Sequence, residues 1–181
     1  MQENLLVPLP SGVEVVLLAL AIAAGVSDIR TRRIPNWITV SGAALGLMLR
    51  SYYSGFAGAL LSLEGAALAM SFFLLLHLAG GMGAGDVKLA AAIGALVGPR
   101  SFLFVFVFTG LLGGIAAAAL AMAHHRLRPT LERTGQLFVS FSRLRWRELR
   151  RNSRLETPGA LRLPYGAIMA GGALAFLVIH H

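Results

Sequence analysis

Acidic side chains are scarce in this sequence, so their positions are informative. The eight are Glu3, Glu14, Asp28, Glu64, Asp86, Glu132, Glu148 and Glu156. The only two aspartates each stand at the edge of an apolar run. Asp28 closes one in Val26-Ser27-Asp28-Ile29-Arg30, and Asp86 opens another in Gly83-Ala84-Gly85-Asp86. Two carboxyl groups that share one proton can hydrolyse a peptide bond with no metal and no nucleophilic side chain. The ionised carboxylate activates water and the protonated one polarises the carbonyl. Spacing alone leaves a plainer alternative open, in which Asp86 caps a helix after a glycine turn and Asp28 pairs with a nearby arginine.

The neighbours of the aspartates carry further expectations. Gly83 and Gly85 either break one helix from the next or let a substrate strand approach closely, because glycine adopts angles closed to other residues and has no side chain. Lys88 is two residues from Asp86, a separation at which helical side chains do not face one another, so it is expected to snorkel to lipid phosphate. His77 is an ionisable group in an apolar run, either a site residue or a histidine bonded to a neighbouring helix. The chain has no cysteine, which excludes disulfides, thiolate metal sites and a cysteine nucleophile. His124, His125, His180 and His181 lack the spacing of a zinc site, so no metal is expected.

The elements that must position these groups are membrane helices. The chain has 181 residues, of which 56% are hydrophobic and 13% charged, too apolar a balance for a soluble domain of this length. The net charge of +8 does not point to nucleic acid, because the basic residues fall between long apolar runs. Those runs, at about 11–27, 34–50, 60–82, 87–98, 101–123 and 163–179, predict an all-α polytopic protein of about six transmembrane helices in a single integral-membrane domain, 1–181. Only the third and fifth comfortably reach the roughly 20 residues of a span, and the fourth is short enough to be a buried or partly inserted helix. Ala90, Ala91, Ala92, Gly94 and Ala95 make that fourth helix thin, able to lie against the helix that carries Asp28. Trp37 and Trp146 read as interfacial anchors.

Orientation follows from the excess of Lys and Arg in cytoplasmic loops. With the first helix ending inside, Arg30, Arg32, Arg33, Lys88 and the ten arginines between Arg126 and Arg162 are cytoplasmic, and only Arg50 and Arg100 lie outside. Both termini then face outward and both aspartates lie at the cytoplasmic ends of their helices. The segment 124–163 is either a basic helix on anionic lipid, with Leu137, Phe138, Phe141 and Leu144 at helical spacing, or a solvated loop.

Three motifs resemble those of one family, in order along the chain. Asp28-Ile29-Arg30-Thr31-Arg32-Arg33-Ile34-Pro35-Asn36 resembles the first aspartate motif of the type IV prepilin peptidases. Gly81-Met82-Gly83-Ala84-Gly85-Asp86-Val87-Lys88-Leu89 is similar to their Gly-x-Gly-Asp motif with its following Lys-Leu, and Leu163-Pro164-Tyr165-Gly166 to their Pro-Tyr-Gly segment. The resemblance covers about residues 15 to 178. It implies an aspartic endopeptidase of the bacterial inner membrane, with Asp28 and Asp86 as catalytic dyad and no cofactor. Pro35, Asn36, Gly83, Gly85, Lys88, Pro164, Tyr165 and Gly166 would shape the site or bind substrate. It further implies a prepilin or pseudopilin substrate, cut at the cytoplasmic face after a short basic leader. Lacking the larger members' methyltransferase region and cysteine zinc site, the sequence is more similar to the short peptidase-only forms of Flp-type pili, so N-methylation is not expected.

Other readings remain at this stage. The presenilin-like group shares Gly-x-Gly-Asp but pairs it with Tyr-Asp and Pro-Ala-Leu motifs that do not occur here. A non-enzymatic transporter or an assembly subunit of a pilus or secretion machine is the alternative from another class, although a transporter would hold its ionisable groups nearer mid-bilayer. The sequence is silent on oligomeric state. The topology has a direct test: a reporter fused between Arg126 and Arg162 should register as cytoplasmic, and a signal from the opposite side would reverse the orientation.

Overall fold

A computed structural model describes residues 9–78, 82–123 and 164–180, and every one of its elements is helical. Helix α1 runs Ser11–Thr31, α2 Asn36–Leu78, α3 Ala84–Ala123 and α4 Tyr165–His180. The first three are long and apolar enough to cross a membrane, and α4 is a shorter apolar helix. The basic segment 124–163, with Trp146, lies outside the described residues.

Two of these helices are too long to be single rods. At about 1.5 Å per residue, the 43 residues of α2 would extend about 65 Å if straight, twice the thickness of a bilayer's hydrocarbon core. Gly55 interrupts α2 at φ 57°, and Gly98 interrupts α3 at φ 78° just before Pro99. Both angles favour glycine. The chain reverses at each. Gly46 and Gly65 would stand about 28 Å apart on one straight helix. Yet Gly46 backs onto Ala95 and Leu96 while Gly65 backs onto Gly94 and Gly98. Likewise, Phe73 meets Phe102 and Phe106 beyond the Gly98 break, with ring centroids 6.2 and 6.0 Å away, whereas Ala69 meets Gly94 before it.

The described residues thus form six helical segments, each antiparallel to the one before it. Gly12 faces Tyr53 and Gly42 faces Leu20, so α1 and the first half of α2 run in opposite directions. Gly25 against Ala170 with Gly166 against Asp28, and Gly172 against Thr109 with Gly113 against Ile168, set α4 antiparallel to both α1 and the second half of α3. The carboxyl ends of α1 and α2 therefore share one end of the bundle with the amino ends of α2, α3 and α4. Gly55 and Gly98 lie at the other end. There, the Arg50 guanidinium packs over Gly98 and its Nε donates to the Leu96 carbonyl at 2.6 Å. Pro99 has no N–H and Gly98 turns the chain away, so the last carbonyls of that half-helix need such an outside donor.

The core sits around the first half of α3. Leu89, Ala90, Ala92, Ile93 and Leu96 are completely buried there, joined by Val13 and Leu17 of α1 and by Met169 and Phe176 of α4. Apolar side chains such as Val15, Ile22, Met48, Leu63, Val107 and Ile115 face outward, as lipid-facing residues do.

Several expectations change on this view. Residues 51–59, read as a connection, are helical apart from Gly55, and α1 continues four residues past 27 to give a 21-residue helix. The short fourth run is the most enclosed segment of the fold. Its thin face packs on both halves of α2, at Gly46 and Gly65, while α1 lies mainly along α4 and α2. Glycine on both sides of the Gly65 and Gly94 contact allows backbones to touch, which alanine would not. A Cβ on either residue would collide with the partner's carbonyl, whereas one on Gly110 meets nothing within 4 Å. Gly65→Ala and Gly94→Ala should each destabilise the protein by about 1 to 3 kcal/mol. Gly110→Ala should be neutral or stabilising by up to about 1 kcal/mol. Thermal unfolding in detergent measures all three.

Candidate active site

The site lies at the end of the bundle where the carboxyl ends of α1 and α2 meet the amino ends of α3 and α4. Asp28 is in the last turn of α1 and only 6% exposed. Its Oδ2 accepts the N–H of Ala167 at 3.0 Å. Ala167 is the third residue of α4, and its N–H is one of the orphan donors that every helix start presents. Pro164, before that helix, has no side-chain acceptor to offer, so Asp28 supplies the cap from 139 residues away.

Asp86 is half-buried in the first turn of α3. Its Oδ2 accepts the N–H of Gly83 at 3.1 Å, and its own N–H donates to the Gly83 carbonyl at 3.2 Å. A third-position carboxylate reaching back to the N–H that precedes the helix is one half of a capping box. Asp86 therefore occupies the third helical position instead of the capping position its sequence neighbourhood had suggested. Each aspartate thus sits at a helix start, Asp28 at that of α4 and Asp86 at that of α3. The helix dipole, which the linear sequence would set against Asp28 alone at the end of α1, no longer separates them.

The two carboxylates are close enough that Asp86 feels the charge of Asp28, and it also feels His77, while Tyr165 feels Asp86. Ile34 holds the groups together. Gly166 backs directly onto Ile34 and Asp28, with an added Cβ standing 3.0 Å from the Asp28 Oδ2, and Gly85 backs onto the other side of Ile34. Gly85 and Gly166 thus act here as close-approach glycines. In the sequence Ile34 is only a member of the first motif, because an isoleucine before Pro-Asn carries no chemical signal of its own.

The turn between α1 and α2 is stiffened locally. Arg32 ends α1 in the left-handed region at φ 51°, its N–H donating to the Asp28 carbonyl at 2.8 Å. The hydroxyls of Ser27 and Thr31 both reach the Arg33 carbonyl, at 2.9 and 3.0 Å. Pro35 precedes α2 and its carbonyl accepts the Ile38 N–H at 3.1 Å. Asn36, the first residue of α2, presents Oδ1 to the Lys88 ammonium at 2.9 Å. Lys88 is therefore not simply a lipid-directed side chain, since it ties the start of α2 to the first turn of α3. His77 departs from the second of its two readings. Its Nδ1 donates to the Met82 carbonyl at 2.8 Å, in the connection that follows its own helix, and not to a neighbouring helix. Among the described residues no arginine pairs with Asp28, and no three His, Asp or Glu side chains gather as a metal-ligand group. Trp37 is exposed at this end, at the start of α2.

The sequence pattern of the type IV leader peptidase family matches residues 15–118, a range that holds both aspartates and ends before Pro164. The chain is 34% identical over 118 residues to the prepilin leader peptidase/N-methyltransferase of Bacillus subtilis (strain 168), which covers 60% of this chain and 44% of the relative. It is 33% identical over 93 residues to the prepilin peptidase EppA of Methanocaldococcus jannaschii, covering 51% of this chain and 26% of that protein. The chain thus spans less than half the length of either relative. No solved structure matches it. With more than half of its length inside the family pattern, this apolar chain, helical in every described element, belongs to the type IV leader peptidase family.

Proposed function

We propose that this chain is a membrane-embedded aspartic endopeptidase that removes the short basic leader of prepilin-like proteins, with Asp28 and Asp86 as its dyad and no cofactor. The observation that carries this reading is the convergence of the chain's only two aspartates, 58 positions apart in sequence, on one end of the bundle. The family and the printed names of its relatives supply the substrate class.

The carboxylates are prepared for paired work. A backbone N–H engages Oδ2 of each, from Ala167 on Asp28 and from Gly83 on Asp86. Among the described residues nothing engages the other oxygen of each, which is left for water or substrate. One ionised carboxylate takes a proton from water as its oxygen attacks the scissile carbonyl carbon. The protonated partner hydrogen-bonds the carbonyl oxygen as charge develops there, and a proton then passes to the leaving amine as the peptide C–N bond breaks. Gly83, exposed beside the Asp86 carboxylate, keeps bulk away from the approach of a substrate backbone, while Gly85 and Gly166 let Ile34 pack between the two aspartate-bearing neighbourhoods. Pro35, Asn36, Lys88, Pro164 and Tyr165 shape the surround.

In this reading the six segments each cross the bilayer, the arginine distribution sets the dyad end toward the cytoplasm, and the membrane is the bacterial inner membrane. A leader that has not yet been exported meets the dyad on that side.

Asp28→Asn and Asp86→Asn test the mechanism cleanly. An asparagine oxygen can still accept the Ala167 or Gly83 N–H, so each variant should insert and accumulate normally. Neither amide can share a proton, so leader removal from a co-expressed prepilin should fall by at least about 10²- to 10⁴-fold. Gel-shift assay of the pilin measures it, and normal processing by either stable variant would remove the dyad from the mechanism.

A further inference from the structure

We infer that His77 is a positioning residue for Asp86, acting through the single peptide group that joins Met82 to Gly83. The imidazole Nδ1–H donates to the carbonyl of Met82 at 2.8 Å, and the N–H of Gly83 donates to Asp86 Oδ2 at 3.1 Å. That carbonyl and that N–H are the two ends of one planar unit. Fixing the oxygen fixes the direction of the N–H, and so fixes the oxygen of Asp86 that it holds. Hydrogen bonds in such a chain also polarise one another, so donation at the Met82 oxygen strengthens the Gly83 N–H as a donor.

The connection needs a clamp of this kind. Gly83 and Gly85 flank the turn, and glycine leaves a backbone free to rotate where any other residue would restrain it. Gly83 is exposed, so water competes for its N–H. The Asp86 N–H returns to the Gly83 carbonyl at 3.2 Å, which closes the turn from the α3 side only. His77, in the last turn of α2, closes it from the other side and couples the position of α2 to the carboxylate. The contact requires a proton on Nδ1, which both the Nδ1–H tautomer and the imidazolium carry.

This inference rests on the reading of Asp86 as half of the dyad, and its test separates the two. His77→Asn sets an amide nitrogen about where Nδ1 stands, His77→Gln moves the donor outward to the place of Nε2, and His77→Phe keeps a ring without a donor. With a purified prepilin substrate, the Gln and Phe variants should lose about tenfold in kcat with KM changed less than about twofold, whereas Asn should recover activity to within about threefold of the parent. A second readout needs no activity. In an Asp28→Asn background Asp86 is the only aspartate in the chain, so carboxyl-labelled aspartate supplied in cell-free synthesis reports it alone. Its isotope-edited infrared carboxylate band should shift when His77→Phe is added and return with His77→Asn. Equal kcat loss in all three His77 variants, or an Asp86 band indifferent to His77→Phe, would overturn the inference. If Asp86→Asn cleaved normally the endopeptidase reading would fail, while the band shift would still show whether His77 orients Asp86.

Discussion

In a bilayer, hydrocarbon tails solvate an apolar side chain as well as another helix does, so helices hold together through close packing and the hydrogen bonds they share. The contact on which this fold turns is the backbone-to-backbone approach of Gly65 and Gly94. It seats the first half of α3 against the second half of α2, while Gly46 brings the first half of α2 onto the other side of the same segment. Asp86 stands at the start of that enclosed segment. The depth and rotation of its helix are therefore set by contacts more than two turns away from the carboxylate.

The breaks at Gly55 and Gly98 work with that packing. Each turns a helix of about 40 residues into a hairpin, and together they bring chain ends that lie far apart in sequence to one end of the bundle. Arg50 secures the far end by donating to a carbonyl that the Gly98 break leaves without an intrahelical donor. At the near end the same problem, unmet N–H groups at helix starts, is solved by the two aspartates themselves. Capping a helix and holding a carboxylate in one orientation are the same contact seen from its two sides. A carboxylate held in this way also stabilises the elements around it.

The geometry at this end draws on residues of little chemical character. Ile34 separates Gly85 from Gly166 and spaces the two aspartate-bearing neighbourhoods, and the amides of Gly83 and Ala167 hold one oxygen of each carboxylate. Lys88 and Asn36 tie α3 to α2 across the same end. The site is in this sense a meeting of helix termini, with the side chains of its three motifs supplying the joints.

Much of this was legible in the chain itself. Composition and the lengths of the apolar runs determined an all-helical membrane protein, because 30 Å of hydrocarbon demands long uncharged stretches and internally satisfied backbones. The scarcity of acids singled out Asp28 and Asp86, and three short motifs around them and at Pro164-Tyr165-Gly166 pointed to the family. What the tertiary structure alone decided is which helix ends meet. Local spacing places Asp28 at the end of α1, where only α1's dipole is visible, whereas the folded chain sets its carboxylate on the start of α4. Local spacing sends Lys88 to lipid and leaves His77 either a site residue or bonded to a neighbouring helix, whereas their partners are Asn36, 52 residues away, and the carbonyl of Met82. Periodicity and propensity describe a residue's own helix. Capping across the bundle and glycine contact between backbones depend on the partner helix, whose identity is fixed only when the whole set packs.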